Sequence, residues 1–213
     1  MKKLLFYLLL FSISSGMLAQ ELKSITLNAP DKTRGLSVMQ AFSNRASATV
    51  WNEEKLKLQD LSDLLWAANG INRAETKKRT APSAMNSQDI DIYVFLEQGV
   101  FIYNAAGNIL EPVVAGDQRL LAAGRQADVA KAAVILVMVS DISKFSGGDD
   151  SMRLSMAAMD AGMVSQNISI FCAGAGLSTR PRATMDQTKL KEVLKLKDSQ
   201  HPLLNNPVCY PQK

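Results

Sequence analysis

Arg79-Thr-Ala-Pro-Ser-Ala-Met-Asn-Ser-Gln88 stands just before the alternating segment Ile90-Asp-Ile-Tyr-Val-Phe-Leu96. The first stretch is rich in serine, proline and asparagine and reads as a polar loop. The second reads as a β-strand. Ser83, Asn86 and Gln88 offer donors and acceptors together. That inventory suits a ligand with a mixed donor and acceptor edge, and it also suits a plain turn.

Toward the C-terminus the pattern continues as strands. Glu97-Gln-Gly99 is a hairpin signal, Val100-Phe-Ile-Tyr103 is the return strand, and Asn104–Asn108 turns the chain again before Ile109–Val114. Three strands with short turns predict an antiparallel meander. Ala132–Val139 is a continuous apolar run, as expected of a buried central strand.

Toward the N-terminus, Ile71–Lys78 reads as a charged loop. Before it, Leu58, Leu61, Leu64, Leu65 and Ala68 form an amphipathic stripe that predicts a helix over Leu56–Asn69, stopped by Gly70. Ala48-Thr-Val-Trp51 is β-prone. Leu36, Val38, Met39 and Phe42 predict a short helix over 36–44 that faces the core. Residues 21–34 read as an irregular lead-in.

Helices dominate the rest. Asp117 is placed to cap a helix over 117–125, and Asp186 one over 188–196. Gly147-Gly148 sits in a loop. The longest helix spans 151–173. Ala157, Ala161, Ser165, Ser169 and Ala173 give it one face of small residues, which lets another backbone approach and suggests a contact across a dimer. Met152, Met156, Met159 and Met163 line a second face, suited to core packing or to a subunit interface or pocket floor. His201–Pro211 is an extended tail with three prolines, and the spacing of Val208 and Tyr210 fits an edge strand.

Residues 1–20 carry Lys2 and Lys3, the apolar run Leu4–Ile13 and small residues before Ala19, the pattern of a cleaved signal peptide. The expectation is export, to a periplasm, and no membrane association after cleavage. The chain has 24 basic and 20 acidic side chains; losing Lys2 and Lys3 leaves a near balance that gives no reason to expect nucleic acid. Two cysteines, Cys172 and Cys209, do not make a disulfide framework. A single histidine, His201, argues against a zinc site and lies in no nucleophile-elbow context. No Gly-x-Gly-x-x-Gly fingerprint marks a nicotinamide-binding unit.

Five segments, in order, carry a family resemblance. They are Arg45-Ala-Ser47, the Ser83–Gln88 element, Gly174-Ala-Gly-Leu-Ser-Thr179, Arg180-Pro-Arg-Ala183 and Pro207-Val-Cys-Tyr-Pro-Gln-Lys213. Together they resemble the nitroreductase-like FMN flavoproteins, most closely the thiazoline-oxidase or peptide-azoline dehydrogenase branch. The resemblance covers roughly residues 34–213. It implies one α+β domain over 21–213, with a central, mostly antiparallel sheet flanked by helices, in a homodimer. It implies FMN as cofactor and a small-molecule redox substrate, with ping-pong two-electron transfer through flavin N5 and no dedicated acid or base.

Residue by residue, the resemblance places Arg45 and Ser47 at the FMN phosphate and ribityl chain. Ser83, Asn86 and Gln88 fall at the isoalloxazine ring, with Arg79 toward its C2 carbonyl. Gly176 and Leu177 lie near N5, Arg182 matches a cofactor-facing arginine, and Lys213 matches a terminal basic residue that reaches the phosphate. The sequence departs from the pattern at Thr49, where a Lys or Arg is frequent, at Ser178 and Cys209, each in place of glycine, and at Ala84-Met85. These departures keep open a ligand-binding protein of the same fold without redox turnover, and a structural homodimer with an empty cleft.

Overall fold

The computed structural model describes residues 21–212; the signal-peptide expectation for 1–20 and the role given to Lys213 lie outside the described residues. In chain order the elements are β1 (Ile25–Thr26), α1 (Val38–Asn44), α2 (Leu58–Asn69), β2 (Ile71–Arg73), β3 (Lys78–Arg79), β4 (Ile90–Leu96), β5 (Gly99–Asn104), β6 (Ile109–Ala115), α3 (Arg119–Ala123), β7 (Val134–Asp141), α4 (Asp150–Ala175), β8 (Ser178–Thr179), α5 (Gln187–Val193) and β9 (Gln200–Cys209). One sheet of seven strands runs β1-β6-β5-β4-β7-β9-β8, with every named pairing antiparallel. The meander β4-β5-β6 and the central β7 are as the sequence predicts.

Period-2 alternation sorts the sheet's side chains into two cores. Ile92, Val94, Leu136 and Met138 pack on one face under α2 and α4. Tyr93, Phe95, Ile135, Val137 and Val139 pack on the other, under α3 and α5. β7 is apolar from Val134 to Val139 because both of its faces are covered there.

α4 is held at both ends. The Asp149 carboxylate accepts from the Met152 N–H, and Gly176 ends the helix in the left-handed conformation at φ 73°. The Gly176 and Leu177 amides both donate to the Cys172 carbonyl. At 1.5 Å per residue the 26-residue helix runs about 39 Å, and it packs on β4, β7, β9 and β8.

Several expectations change. The apolar residues of α1 turn away from its own core: Val38, Met39 and Phe42 are 64%, 76% and 53% exposed, and only Ala41 is buried. Helical period shows an apolar face but not what covers it. The small-residue face of α4 packs inward, with Ala157, Ala161, Ser165 and Ser169 buried and Ser165 bonded to Asn206 of β9, so it makes no contact across a dimer. The methionine stripe divides, with Met156 in the core and Met152, Met159 and Met163 exposed.

Ile71–Lys78 is not a plain loop. β2 and β3 pair there as a small hairpin, with Lys77 left-handed at φ 52°. Ala48–Trp51 forms no strand; Ser47 makes a single parallel bridge to Thr179. Asp117 is not the N-cap of α3, which is Gln118; from one residue further out its carboxylate accepts from the Arg119 amide and guanidinium.

The tail forms β9 between β7 and β8, so it is an inner strand rather than an edge. Its prolines fit because N–H groups alternate sides along a strand. Asn205 exchanges hydrogen bonds with Arg182, away from β7. Pro207, two residues on, therefore lacks its donor on the same side. Cys172 and Cys209 are both buried and unbridged, and they belong to opposite cores.

Gly70 ends α2 as expected, but at φ −75° rather than in the left-handed region. Its need is space: a Cβ there would lie 2.5 Å from the Trp66 ring and 2.7 Å from the Trp66 backbone. Gly70→Ala is predicted to destabilise the fold by about 1–3 kcal/mol through overpacking. Urea unfolding checks this, and an unchanged midpoint would show that the helix end can shift without cost.

Candidate functional site

Two patches gather the polar residues singled out in the sequence. The first lies where α1, the C-terminal end of α4 and β8 meet. Ser37 caps α1 through its hydroxyl and Gln40, and the helix ends at Arg45. The Leu36 amide donates to the Gly174 carbonyl, tying α1 to α4. The Ala48 amide donates to the Thr179 carbonyl at 2.9 Å. The segment Asn44–Val50 is thereby laid along β8, and a cleft of about 330 Å³ opens among Ser47, Thr49, Ala173, Leu177 and Ser178.

Arg45, Ser47 and Thr49 are exposed there, and none makes a side-chain hydrogen bond or ion pair within the described residues. Gly176 and Leu177 form the turn beside them. Ser178, in place of glycine, lies in β8 with no positive φ and so carries no backbone strain.

The second patch is the Ser83–Gln88 loop. Ala84-Met85, where the family frequently has a glycine, do not slacken it. Met85, Asn86 and Gln88 adopt φ of 53°, 53° and 46°, so the loop is tightly turned without glycine. Asparagine tolerates that region; methionine and glutamine do so at a cost of about 1–2 kcal/mol each. Local hydrogen bonds hold them. The Ser83 hydroxyl accepts from the Gln88 N–H at 2.9 Å, and both Asp160 carboxylate oxygens lie within 3.0 Å of the Ala84 N–H. The Arg79 guanidinium donates to the Gln88 side-chain oxygen and to the Asn69 carbonyl, so Arg79 and Gln88 are brought together. Asn86 is exposed, and its amide makes no side-chain hydrogen bond within the described residues.

The two patches do not meet in one chain. Asp160, beneath the loop, precedes Ala173, in the cleft, by thirteen residues of α4, about 20 Å of helix. Met163 is exposed between them, and Met159 next to Asp160.

Arg182 belongs to neither patch. It is 7% exposed, and its guanidinium donates to the Gln126 and Asn205 side chains and to the Ala123 carbonyl. The fold uses it as a bracket between α3 and β9, so it is not available to a cofactor. Arg180, on the other side of Pro181, lies over the Trp51 ring at 5.3 Å. The alternation of the two arginines is legible in sequence; which one is buried depends on the Asn205 pairing, which is not.

Sequence reasoning also missed Asp89 and Asp160. Asp89 is fully buried and accepts from the Ser87 and Ser140 hydroxyls. Burial pushes Asp160 up to about 6, and the adjoining Asp89 carboxyl adds to the rise while the Ala84 N–H opposes it. One signal was present: Asp160 is the only charged residue between Arg153 and Arg180.

Comparison with known proteins fits this geometry. The nitroreductase family model matches residues 43–209, which takes in both patches. The chain belongs to the nitroreductase family. A candidate nitroreductase from Ralstonia eutropha JMP134 shares 30% identity at a TM-score of 0.82, over 89% of this chain and 90% of its own. At 18% identity the fold is shared with the Escherichia coli microcin synthetase McbBCD complex with truncated pro-MccB17 bound, at a TM-score of 0.70 over 98% of this chain and 85% of that one. It is shared, also at 18% identity, with a candidate nitroreductase in complex with FMN from Desulfovibrio desulfuricans, at a TM-score of 0.61 over 84% and 88% of the two chains. No curated protein matches the chain.

Arg182→Ala leaves Asn205 and the Ala123 carbonyl without their buried charged donor. It is predicted to cost about 2–4 kcal/mol of stability, whereas Arg180→Ala should cost less than about 1 kcal/mol. Thermal unfolding of the two variants tests the assignment; equal effects would contradict it.

Proposed function

We propose that this protein is an exported, FMN-dependent oxidoreductase that works as a homodimer. The observation that carries the reading is two polar patches, in which Arg45, Ser47, Thr49 and Asn86 have no side-chain partner within the described residues, together with exposed apolar side chains on α1 and α4. Those side chains are Met39 and Phe42 of α1 and Met159 and Met163 of α4. Exposed apolar surface of this kind marks an interaction site. A second copy packed there about a two-fold axis would set the Ser83–Gln88 loop of one chain against the Arg45–Ser47 cleft of the other.

The residues fit the cofactor. Arg45 is a cation with no partner of its own within the described residues, and Ser47 and Thr49 of the same segment line the cleft. These groups match a phosphate. Asn86 can donate and accept in one plane, matching the pyrimidine edge of the ring. The Arg79–Gln88 pair supplies positive charge on that side. Gly176–Ser178 brings backbone beside the cleft, where it can face N5. Bound FMN would supply two-electron exchange, taken alternately from a donor and passed to an acceptor.

The reading without turnover rests on Thr49, Ser178 and Cys209, three departures from the family pattern. Ser178 is unstrained, and Cys209 lies buried in β9, paired with Ser178.

If Arg45 holds the phosphate, Arg45→Ala loses a charge-assisted pair worth roughly 1.5–3 kcal/mol, or about 10- to 150-fold in FMN affinity. Riboflavin, lacking the phosphate, should bind both proteins alike in a fluorescence titration. An equal loss for riboflavin would overturn the placement. Met159→Glu should convert the dimer to monomer in sedimentation velocity and weaken flavin binding with it. A stable dimer in that variant would show that this face is not the interface.

A further inference from the structure

The loop that carries Asn86 is strained, and it rests on two carboxyl groups that no redox step uses. Asp160 projects from the middle of α4 and is 5% exposed. Its two oxygens accept from the Ala84 N–H, at 3.0 and 2.9 Å. Its carboxyl lies beside the buried carboxyl of Asp89, which immediately follows the loop. Asp89 in turn takes the Ser87 and Ser140 hydroxyls, and its carbonyl accepts from the Asp141 amide. The loop is thus fastened to the two carboxyls at Ala84 and Ser87, and at its exit by the Asp89 main chain.

A hydrogen bond between two carboxyl groups requires one proton between them. Two buried carboxylates without it repel each other. No cation neutralises the pair among the described residues. Lys144 pairs with Asp91 and the Gln88 carbonyl, and Arg79 is taken by Gln88 and Asn69. Asp141 is engaged by Ser143. His201 lies opposite Ser140 in the β7–β9 register, and burial lowers its pKa and favours the neutral ring.

We propose that Asp89 and Asp160 are positioning residues of the flavin site, a proton-sharing carboxyl pair that clamps the Ser83–Gln88 loop and makes its grip on the isoalloxazine depend on pH. This rests on the flavin reading above. The sign follows from the direction of the Asp160 shift. A carboxyl whose pKa is raised from 3.8 to about 6 keeps its proton in the folded chain where the unfolded chain has lost it. The clamp is therefore complete at low pH and is lost as pH rises through about 6. Asparagine at 160 would mimic the protonated state: its carbonyl oxygen can accept from Ala84 and its amide can donate to Asp89.

Riboflavin is the probe, because it has no phosphate to titrate in the same range. Its affinity is measured from pH 5 to 8 for wild type, Asp160→Asn and Asp160→Ala, alongside hydrogen exchange of the Ala84 and Gln88 amides in flavin-free protein. Wild type should weaken by about tenfold across the range, the change that one pKa unit of linkage gives. Asp160→Asn should hold the pH 5 affinity throughout. Asp160→Ala should bind weakly at every pH, with both amides exchanging fast. An Asp160→Asn profile that follows wild type would overturn the proposal, as would Asp160→Ala binding like wild type. If no protein binds either riboflavin or FMN, the flavin reading fails, and amide exchange alone then judges the clamp. Protection lost above pH 6 in wild type and kept in Asp160→Asn would support it; protection that ignores pH and residue 160 would refute it.

Discussion

A short chain of buried hydrogen bonds decides where the cleft can be. The Ser165 hydroxyl on α4 donates to the Asn206 side chain at 2.7 Å, the Asn206 amide reaches the Thr179 hydroxyl at 3.3 Å, and that hydroxyl donates to the Pro207 carbonyl at 2.8 Å. Helix, inner strand and edge strand are joined by groups that have no access to water. Such a network rigidifies when every member is satisfied. The small residues of α4 make it possible, since only a serine or alanine face lets the helix backbone come this near the sheet. Because β8 is fixed by Thr179, and Ser47 and Ala48 are laid on Thr179, the position of Arg45 follows from bonds made inside the core. The Arg182 bracket to Asn205 holds the same strand from the other side.

What could be read from the sequence was local. The β4–β6 meander, β7 and α2 announce themselves through period, turn residues and a stripe that their own core covers. The outward face of α1 has the same period as an inward one, and only the position of α4 shows that Ala41 and not Phe42 is buried. Insertion of the tail between β7 and β8 depends on partners far away in sequence. The left-handed Met85 and Gln88 run against propensity; Ser83 holds Gln88 locally, but the Ala84 amide beside Met85 is held by Asp160, 76 residues distant, which no local signal gives. For the site, the residue types in Arg45-Ala-Ser47 and Ser83–Gln88 were legible. That they form separate patches, and that Arg182 is structural, was not.

The loop and the apolar face share a physical logic. Strained backbone persists only where surrounding contacts over-determine it, and it gathers at functional sites. Exposed methionines and a phenylalanine persist where another surface covers them. Each feature is costly in an isolated chain, and each is accounted for if two copies enclose one flavin between them. Neither requires an acid or base of the protein's own, which agrees with a family whose cofactor carries the chemistry.

The visible spectrum of the FMN-loaded protein through one anaerobic cycle of reduction and reoxidation tests the central claim most directly. The account predicts flavin absorption bands that bleach with two electrons per FMN and return on adding an oxidant. Flavin that stays bound but cannot be cycled, or a protein that retains no flavin after removal of excess, would contradict it.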